Sequence, residues 1–220
     1  RSSALTRIQL LAVDVDGKHF NSEDEIIPAT RAALPRARVA GVEVVNATGR
    51  RYRNTQGAIG ALGLPVPSVC LGGALVKGGD GRTLHADVFE AAEFRAVASL
   101  YRDRGHAVVA QRDSHQEGGA DFLIDESVPW NLFTRVYYDR NQGFAERAGS
   151  LPDQARDDVL VVGTFGELAE LQELERELHR VHPGSFVSHV MPGFQYQGHY
   201  CEVAPSHVSK WAGLQRLADF

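Results

Sequence analysis

Two aspartates with one residue between them follow a short apolar stretch near the start of the chain. Residues 8–13 are almost all apolar, and Asp14, Asp16 and Gly17 come directly after them. Two carboxylates at one strand end can divide nucleophilic attack and general acid-base catalysis between them, or can together hold a divalent cation through oxygen ligands. A solvated turn is the alternative, because Asp and Gly are also common turn residues.

A second polar cluster follows a second apolar stretch. Thr48, Gly49 and Arg50 supply a hydroxyl, a glycine that permits close backbone approach and a guanidinium, and all three suit an oxyanion such as phosphate. A helix cap is the alternative, because Thr is frequent in front of helices. Far along the chain, Lys210 stands at the start of the final predicted helix. An ammonium there can neutralise a carboxylate or a phosphate, or can simply lie in solvent.

Most of these polar residues come at the ends of predicted strands in an α/β unit. The apolar stretches 8–13, 42–46 and 68–71 have the pattern of buried parallel strands, and helical patterns separate them at 28–40 and 52–62. Ligands of open parallel sheets bind beyond the carboxyl ends of the strands. We therefore expect one group of residues to gather at that edge of the sheet: Asp14, Asp16, Thr48, Gly72 and Gly73.

The alternation of parallel strands and helices stops after the third strand. The segment 78–81 consists of glycines and an aspartate between two apolar stretches, which predicts a β-hairpin. Beyond residue 85 the patterns predict a second α/β layer with a mostly antiparallel sheet, inserted into the first domain: helices at 91–104 and 167–181, and strands at 106–111, 121–124, 160–163, 186–190 and 195–197. A strand at 200–203 and a helix at 208–218 predict a return to the first domain.

Composition excludes several classes of protein. The 220 residues are 43% hydrophobic and 23% charged, which is typical of a compact globular protein. The net charge of −5 gives no basic field for nucleic acid or an anionic membrane surface, so a small-molecule partner is favoured. The sequence contains no apolar stretch of the roughly 18 to 20 residues that a membrane span needs, and no apolar leader at its start, which predicts a cytoplasmic protein. Cys70 and Cys201 lie in strand-like segments and are expected to be buried thiols.

Taken in order, these motifs resemble the haloacid dehalogenase superfamily of phosphohydrolases, in the Cof-like branch that carries a large α/β cap. The matching stretches are 10–17, 45–50, 73–74 and 208–210, so the resemblance covers essentially the whole chain. It implies a Rossmann-like parallel-sheet core, residues 1–84 and 193–220, with an inserted α/β cap domain at residues 85–192. It also implies a fourth motif, Gly-Asp followed shortly by Asp, on a strand after the final helix. Because the sequence ends at Phe220, the core is expected to be incomplete at its C-terminal side.

The resemblance implies a role for each matching residue. Asp14 would be the nucleophile that forms an aspartyl-phosphate, and Asp16 would protonate the leaving group and then activate water. Thr48 would hydrogen-bond the transferring phosphoryl group, and Lys210 would balance the charge around Asp14. Mg²⁺ would be the cofactor, held by the carboxylate of Asp14 and by the backbone carbonyl of Asp16. Further contacts to the substrate would come from four residues: Gly49, Arg50, Gly72 and Gly73.

Two departures from the family pattern bear on activity. Lys18 and His19 stand where the family has a threonine and an apolar residue, and Gly72 stands where it usually has an asparagine. The main hypothesis is a Mg²⁺-dependent phosphatase that acts on a small phosphorylated metabolite such as a sugar phosphate. One alternative, which the departures favour, is a catalytically degenerate relative that binds a phosphorylated ligand or partner without turnover. Another is a mutase that moves a phosphoryl group between positions on a sugar through the same aspartyl-phosphate.

Overall fold

The computed structural model describes residues 8–14, 27–60, 64–114, 118–193 and 198–220 of the chain. The chain divides into two compact units. The first consists of Arg1–His85 together with Ser209–Phe220, and the second is Ala86–Val208. None of the helices in the described ranges is long and apolar enough to cross a membrane.

The secondary structure alternates between strands and helices for most of the chain. The helices are α1 Pro28–Val39, α2 Tyr52–Gly60, α3 Ala91–Asp103, α4 Leu132–Asn141, α5 Leu168–Val181 and α6 Lys210–Ala218. The strands are β1 Leu10–Val13, β2 Glu43–Ala47, β3 Ser68–Cys70, β4 Leu75–Lys77, β5 Thr83–Ala86, β6 Val109–Arg112, β7 Phe122–Asp125, β8 Ala145–Ala148, β9 Val159–Gly166, β10 Phe186–Gly193 and β11 Gly198–Pro205.

The first unit contains a five-stranded mixed sheet in the order β1-β2-β3-β4-β5. β1, β2 and β3 are parallel, as predicted, and β4 runs antiparallel to β3. The register pairs Val13 with Asn46 and Ala47 with Val69, so the three parallel strands end side by side. The residues that follow them therefore lie at one edge of the sheet. The predicted hairpin is confirmed, with the Gly78 amide donating to the Arg82 carbonyl at the turn between β4 and β5.

Alternation along β2 explains how this sheet is covered on both faces. Val44 packs with Leu34 of α1 and Ile59 of α2. The next residue, Val45, points to the opposite face, where it belongs to a cluster that includes Leu214 of α6. A parallel strand buried on both faces is apolar at successive positions, which is the pattern that predicted it.

The second unit contains a six-stranded sheet in the order β10-β11-β9-β6-β7-β8. Its strand pairs are antiparallel except for β7 and β8, which confirms the predicted mostly antiparallel sheet. α3 and α5 pack on one face through side chains such as Phe94 and Leu174. On the other face, α4 contributes Tyr137 to an aromatic cluster with Phe122 and Phe165. The two helix-covered sheets confirm the predicted α/β class.

Four parts of the sequence-based organisation differ from the structure or lie outside it. The strand predicted to return to the first domain is wrong in its placement, because β11 pairs with β10 and β9 in the second sheet. The chain re-enters the first unit at Ser209 rather than at residue 193. α4 and β8 were not predicted. The strand predicted at 195–197 lies outside the described residues.

The two cysteines confirm the prediction of buried thiols. Cys70 and Cys201 are both free and buried. The Cys201 thiol lies 3.3 Å from the hydroxyl of Tyr101. Burial raises the pKa of Cys201 to about 12, so this thiol stays protonated at neutral pH. These cysteines therefore serve the core as small apolar side chains.

Candidate functional site

An ion pair joins the end of the first strand to the start of the last helix. Lys210 Nζ donates a hydrogen bond of 2.8 Å to Asp14 Oδ2. The side chains are 39% and 51% exposed, respectively, so both reach solvent from the edge of the sheet. The structure thus brings together two residues that were predicted to share the site.

The N-terminus of α6 fixes the position of Lys210. Ser209 is the N-cap, and its Oγ accepts a hydrogen bond of 3.0 Å from the amide of Ala212. The Ser209 carbonyl accepts from the amide of Gly213 at 2.9 Å, which closes the first turn. Lys210 is the first residue of the helix, and its ammonium adds to the partial positive charge of the helix N-terminus. This end of the helix therefore presents positive potential at the carboxyl edge of the sheet.

The loop after β2 is held by hydrogen bonds on both sides of Thr48. The Thr48 amide donates to the Val69 carbonyl at 2.9 Å, and Thr48 Oγ1 accepts from the Arg50 amide at 3.0 Å. Thr48 is fully buried, whereas Gly49 is exposed and Arg50 is half-buried. Its oxygen accepts a backbone hydrogen bond, which restricts the orientation of the Thr48 side chain, and its O–H group can act as a donor.

The turn after β3 has a left-handed backbone at three successive residues. The φ angles of Leu71, Gly72 and Gly73 are +50°, +64° and +118°. The amide of Gly72 donates to the Thr48 carbonyl at 3.1 Å, and the amide of Leu71 donates to the Arg50 carbonyl at 3.1 Å. These bonds tie the turn to the loop after β2. Left-handed geometry at a non-glycine residue such as Leu71 is costly and is typical of functional sites.

The structure brings some of the predicted site residues together, and others lie outside the described residues. Thr48, Arg50 and the Leu71–Gly73 turn form one hydrogen-bonded assembly, and Asp14 pairs with Lys210 beside it. Asp16 lies outside the described residues, as do Lys18 and His19, so their predicted effects on the site stay predictions.

One described residue of the site, Asp14, can supply an oxygen ligand to a divalent cation. Asp14 supplies a carboxylate, which is a hard oxygen ligand of the kind that Mg²⁺ prefers. Among the described residues, no three His, Cys, Asp or Glu side chains lie together as a metal-binding group. Asp14 is therefore the carboxylate of the described site that fits a divalent cation, and Asp16 is the further ligand that the sequence predicts.

Two residues of the site were missed by sequence reasoning. Ser209 caps α6, and the Ser-x-x-Ala spacing alone did not distinguish it from any other serine before a helix. Arg51 directly follows the Thr48 loop, and only 6% of its surface is exposed. A buried guanidinium is rare without polar partners, so its burial, which the sequence did not reveal, makes Arg51 a candidate for the site.

The arrangement suits an oxyanion that approaches a carboxylate. The edge of the sheet carries the carboxylate of Asp14, close to the ammonium of Lys210 and to the N-terminus of α6. Positive groups around a carboxylate lower the repulsion that an incoming phosphate would meet. The site can therefore bind a phosphate ester and stabilise negative charge that is transferred to it.

Comparison with known proteins gives concordant results. A family model described as haloacid dehalogenase-like hydrolase matches residues 11–220. The pyridoxal phosphate phosphatase YbhA of Escherichia coli is 24% identical over 208 residues, which cover 93% of this chain and 67% of that protein.

Solved structures share the fold. A haloacid dehalogenase-like hydrolase from Bacillus subtilis superimposes with a TM-score of 0.70 at 20% identity and covers 96% of this chain and 78% of its own. BT1666 from Bacteroides thetaiotaomicron, analysed among the phosphatases of the haloalkanoate superfamily, gives a TM-score of 0.73 at 19% identity, over 96% of this chain and 72% of its own.

Proposed function

The chain belongs to the haloacid dehalogenase-like hydrolases and is of their phosphatase type, and we propose that it hydrolyses small phosphorylated metabolites through a phosphorylated Asp14. The observation that carries this proposal is the hydrogen bond of 2.8 Å from Lys210 Nζ to Asp14 Oδ2. An ammonium at this distance orients the carboxylate, which a nucleophile needs. It also offsets the negative charge that accumulates when a phosphate ester approaches a carboxylate.

The proposed reaction has two steps. A carboxylate oxygen of Asp14 bonds to phosphorus while the bond from phosphorus to the ester oxygen breaks, and the leaving oxygen takes a proton from Asp16. Asp16 then removes a proton from water, whose oxygen attacks phosphorus. The bond between phosphorus and Asp14 breaks, inorganic phosphate leaves, and the carboxylate of Asp14 is regenerated. The role of Asp16 rests on the sequence, since this residue lies outside the described part of the structure.

The loop after β2 supplies the binding groups for the phosphoryl oxygens. The oriented hydroxyl of Thr48 donates to one oxygen, and the exposed backbone at Gly49 permits close approach. Arg50 contributes a half-buried guanidinium to the same loop. Gly72 lies in the turn that hydrogen-bonds to this loop, and its lack of a side chain leaves the site open where the substrate enters. Charge neutralisation and positioning are the main requirements of phosphoryl transfer.

Mg²⁺ is part of the proposal. Asp14 would hold it through a carboxylate oxygen, and the backbone carbonyl of Asp16 would be the second ligand, as the family resemblance implies. When bound, the cation neutralises charge on the phosphoryl oxygens. Lys210 is then one of two positive groups beside the Asp14 carboxylate, and its hydrogen bond orients that carboxylate before substrate binds.

The proposal is tested by phosphate release from p-nitrophenyl phosphate in the presence of Mg²⁺. We expect turnover that a chelator abolishes and that falls to background in Asp14→Asn, because the amide cannot attack phosphorus. Asp157→Asn is the matched control, since Asp157 is an exposed carboxylate of the second unit. Unchanged turnover in Asp14→Asn would overturn the mechanism.

A panel of metabolites identifies the substrate class. Sugar phosphates are the first candidates, and pyridoxal 5′-phosphate is included because it is the substrate in the name of the Escherichia coli relative. Binding of these compounds without hydrolysis would instead support a degenerate protein. Isomerised sugar phosphate in place of free phosphate would support a mutase.

A further inference from the structure

The proposed function requires Lys210 to meet Asp14, and an unusually close backbone contact determines where it does so. We propose that Gly73 and Gly213 are positioning residues for the reaction. Their missing side chains allow the Leu71–Gly73 turn to contact α6 backbone to backbone, and this contact sets the position of Lys210 against Asp14. The inference rests on the proposed function, and its last test is independent of turnover.

Gly73 touches the residue that caps α6. A Cβ atom on Gly73 would lie 2.0 Å from the carbonyl oxygen and 2.3 Å from the carbonyl carbon of Ser209, and 3.0 Å from the amide nitrogen of Lys210. These are backbone atoms, and they cannot rotate away as a flexible side chain can. The φ of +118° at Gly73 is also disfavoured for any residue with a side chain. A glycine is therefore required by both the backbone angle and the close approach.

Gly213 makes the matching approach from the helix. A Cβ atom on Gly213 would lie 2.5 Å from Cγ1 of Val69 and 3.1 Å from the carbonyl oxygen of Gly73. Val69 is fully buried in β3, so its branched side chain has little freedom to move aside. An alanine would be the better helix former at this position. Gly213 therefore lowers the helix propensity of α6 but allows the helix to pack closely on the turn.

The same turn also holds the phosphate-binding loop. Its amides donate from Gly72 to the Thr48 carbonyl and from Leu71 to the Arg50 carbonyl, each at 3.1 Å. One side of the turn therefore fixes the loop and the other fixes the first residue of α6. A displacement of about 1 Å between groups that act on the same phosphoryl group can lower a rate by about 100-fold. The turn is the element that can prevent such a displacement.

The first test is Gly73→Ala. We expect kcat for p-nitrophenyl phosphate to fall by about 10-fold or more, because the Cβ must push Ser209 and Lys210 away from the turn. Gly57→Ala is the matched control, since Gly57 lies in α2 and a Cβ there would meet no described atom within 4 Å. Wild-type kcat in folded Gly73→Ala would overturn the inference.

The second test separates positioning from a general loss of stability. Gly213→Ala should lower kcat with little change in KM, and Val69→Ala should restore much of it in the double variant by removing the clashing Cγ1. In a Lys210→Ala background, Gly213→Ala should lower kcat no further, because the group that it displaces is already gone. Failure of Val69→Ala to rescue, or an additive loss in the Lys210→Ala background, would count against the inference.

The third test needs no turnover. The side-chain ammonium NMR signal of Lys210, assigned by its loss in Lys210→Ala, should shift when Asp14 is changed to Asn. In Gly213→Ala this response should be weakened, because the ammonium no longer lies against the carboxylate. An unchanged response would refute positioning even if the protein proved to have no phosphatase activity, whereas absent turnover with a weakened response would refute only the proposed function.

Discussion

Lys210 Nζ lies 2.8 Å from Asp14 Oδ2, although 196 positions separate the two residues along the chain. The whole second unit, Ala86–Val208, is inserted between them. α6 follows the inserted unit in the chain and packs on the sheet of the first unit. Its first residue, Lys210, lies against the end of β1. Lys210 and Asp14 therefore meet only when α6 packs on the sheet of the first unit.

Lys210→Ala should lower the activity of the protein but leave its stability nearly unchanged. The pair is about half exposed, and pairs of this kind contribute roughly 0.2–1 kcal/mol to folding before screening by salt. We therefore expect a melting temperature close to that of the parent. Turnover should fall by about 100-fold or more, because a positive group beside the reacting carboxylate is lost. Steady-state kinetics and a thermal melt on the same sample measure both effects.

Lys210→Arg is the informative companion variant. It keeps the charge but replaces a compact ammonium with a larger planar group, so partial activity is expected. If Lys210→Ala instead lowers the melting temperature substantially while the folded protein keeps its turnover, the lysine is structural and the assignment is wrong.

Substitutions at Thr48 should show whether activity depends on its hydroxyl group or on the shape of its side chain. Thr48→Val removes the oxygen that accepts the Arg50 amide at 3.0 Å and the donor proposed for the phosphoryl group. We expect kcat/KM to fall by about 10-fold or more, whereas Thr48→Ser should keep most of the activity. Thr134→Val is the matched control, because Thr134 Oγ1 is buried without a hydrogen-bond partner among the described residues. Equal kinetics for the Ser and Val variants of Thr48 would contradict the assignment.

The sequence predicted the first unit well because each of its elements has a local cause. β2 and β3 are apolar at successive positions, and the polar residues at their ends could be assigned to one edge of a sheet. The approach of Lys210 to Asp14 has no such local cause. It depends on the path of the chain through the second unit, and family resemblance rather than physical pattern predicted it.

The errors have equally specific reasons. The alternating pattern of β11 identified a strand, but a strand pattern does not say which sheet the strand joins. α4 was missed because its buried side includes the polar residues Thr134 and Asn141 while the apolar Leu132 is exposed, so the sequence gives no clear amphipathic stripe. The close contact of Gly73 with Ser209 was invisible, since a glycine in the sequence does not reveal the neighbour that requires it.

The buried thiol of Cys201 should make the protein sensitive to alkaline pH. Burial raises the pKa of Cys201 from about 9 to about 12, and it raises the pKa of Tyr101 well above its usual value. Above pH 9 the unfolded chain loses the thiol proton while the folded chain retains it, so the unfolded state gains stability. The free energy of unfolding should therefore fall between pH 9 and pH 11. This single thiol contributes up to about 1.4 kcal/mol to that fall for each pH unit.

Urea denaturation at a series of pH values measures that slope. Cys201→Ser keeps a hydrogen-bonding hydroxyl beside Tyr101 but does not titrate in this range, so its slope should be shallower. Below pH 8.5 the two proteins should show the same pH dependence. An equal alkaline slope in the variant would assign the effect to the buried tyrosines instead.

Gly163 of β9 should tolerate no side chain, because the ring of Tyr200, two residues from its direct partner Glu202 on β11, lies over it. A Cβ atom on Gly163 would lie 2.1 Å from Oη and 2.2 Å from Cζ of Tyr200. The ring cannot move away at low cost, since its hydroxyl accepts from Gln111 Nε2 at 2.9 Å and it packs against the tilted ring of Phe165 with centroids 4.6 Å apart. Gly163→Ala should therefore lower the free energy of unfolding by about 1–3 kcal/mol, as other overpacked cores do.

A double-mutant cycle identifies the cause of that loss. In a Tyr200→Ala background the new methyl group has room, so Gly163→Ala should cost little more and the two changes should be strongly non-additive. Gly149→Ala is the control, because a Cβ there meets no described atom within 4 Å and a change of less than about 0.5 kcal/mol is expected. Additive losses in urea denaturation would mean that Gly163 is needed for its backbone rather than for the space that Tyr200 occupies.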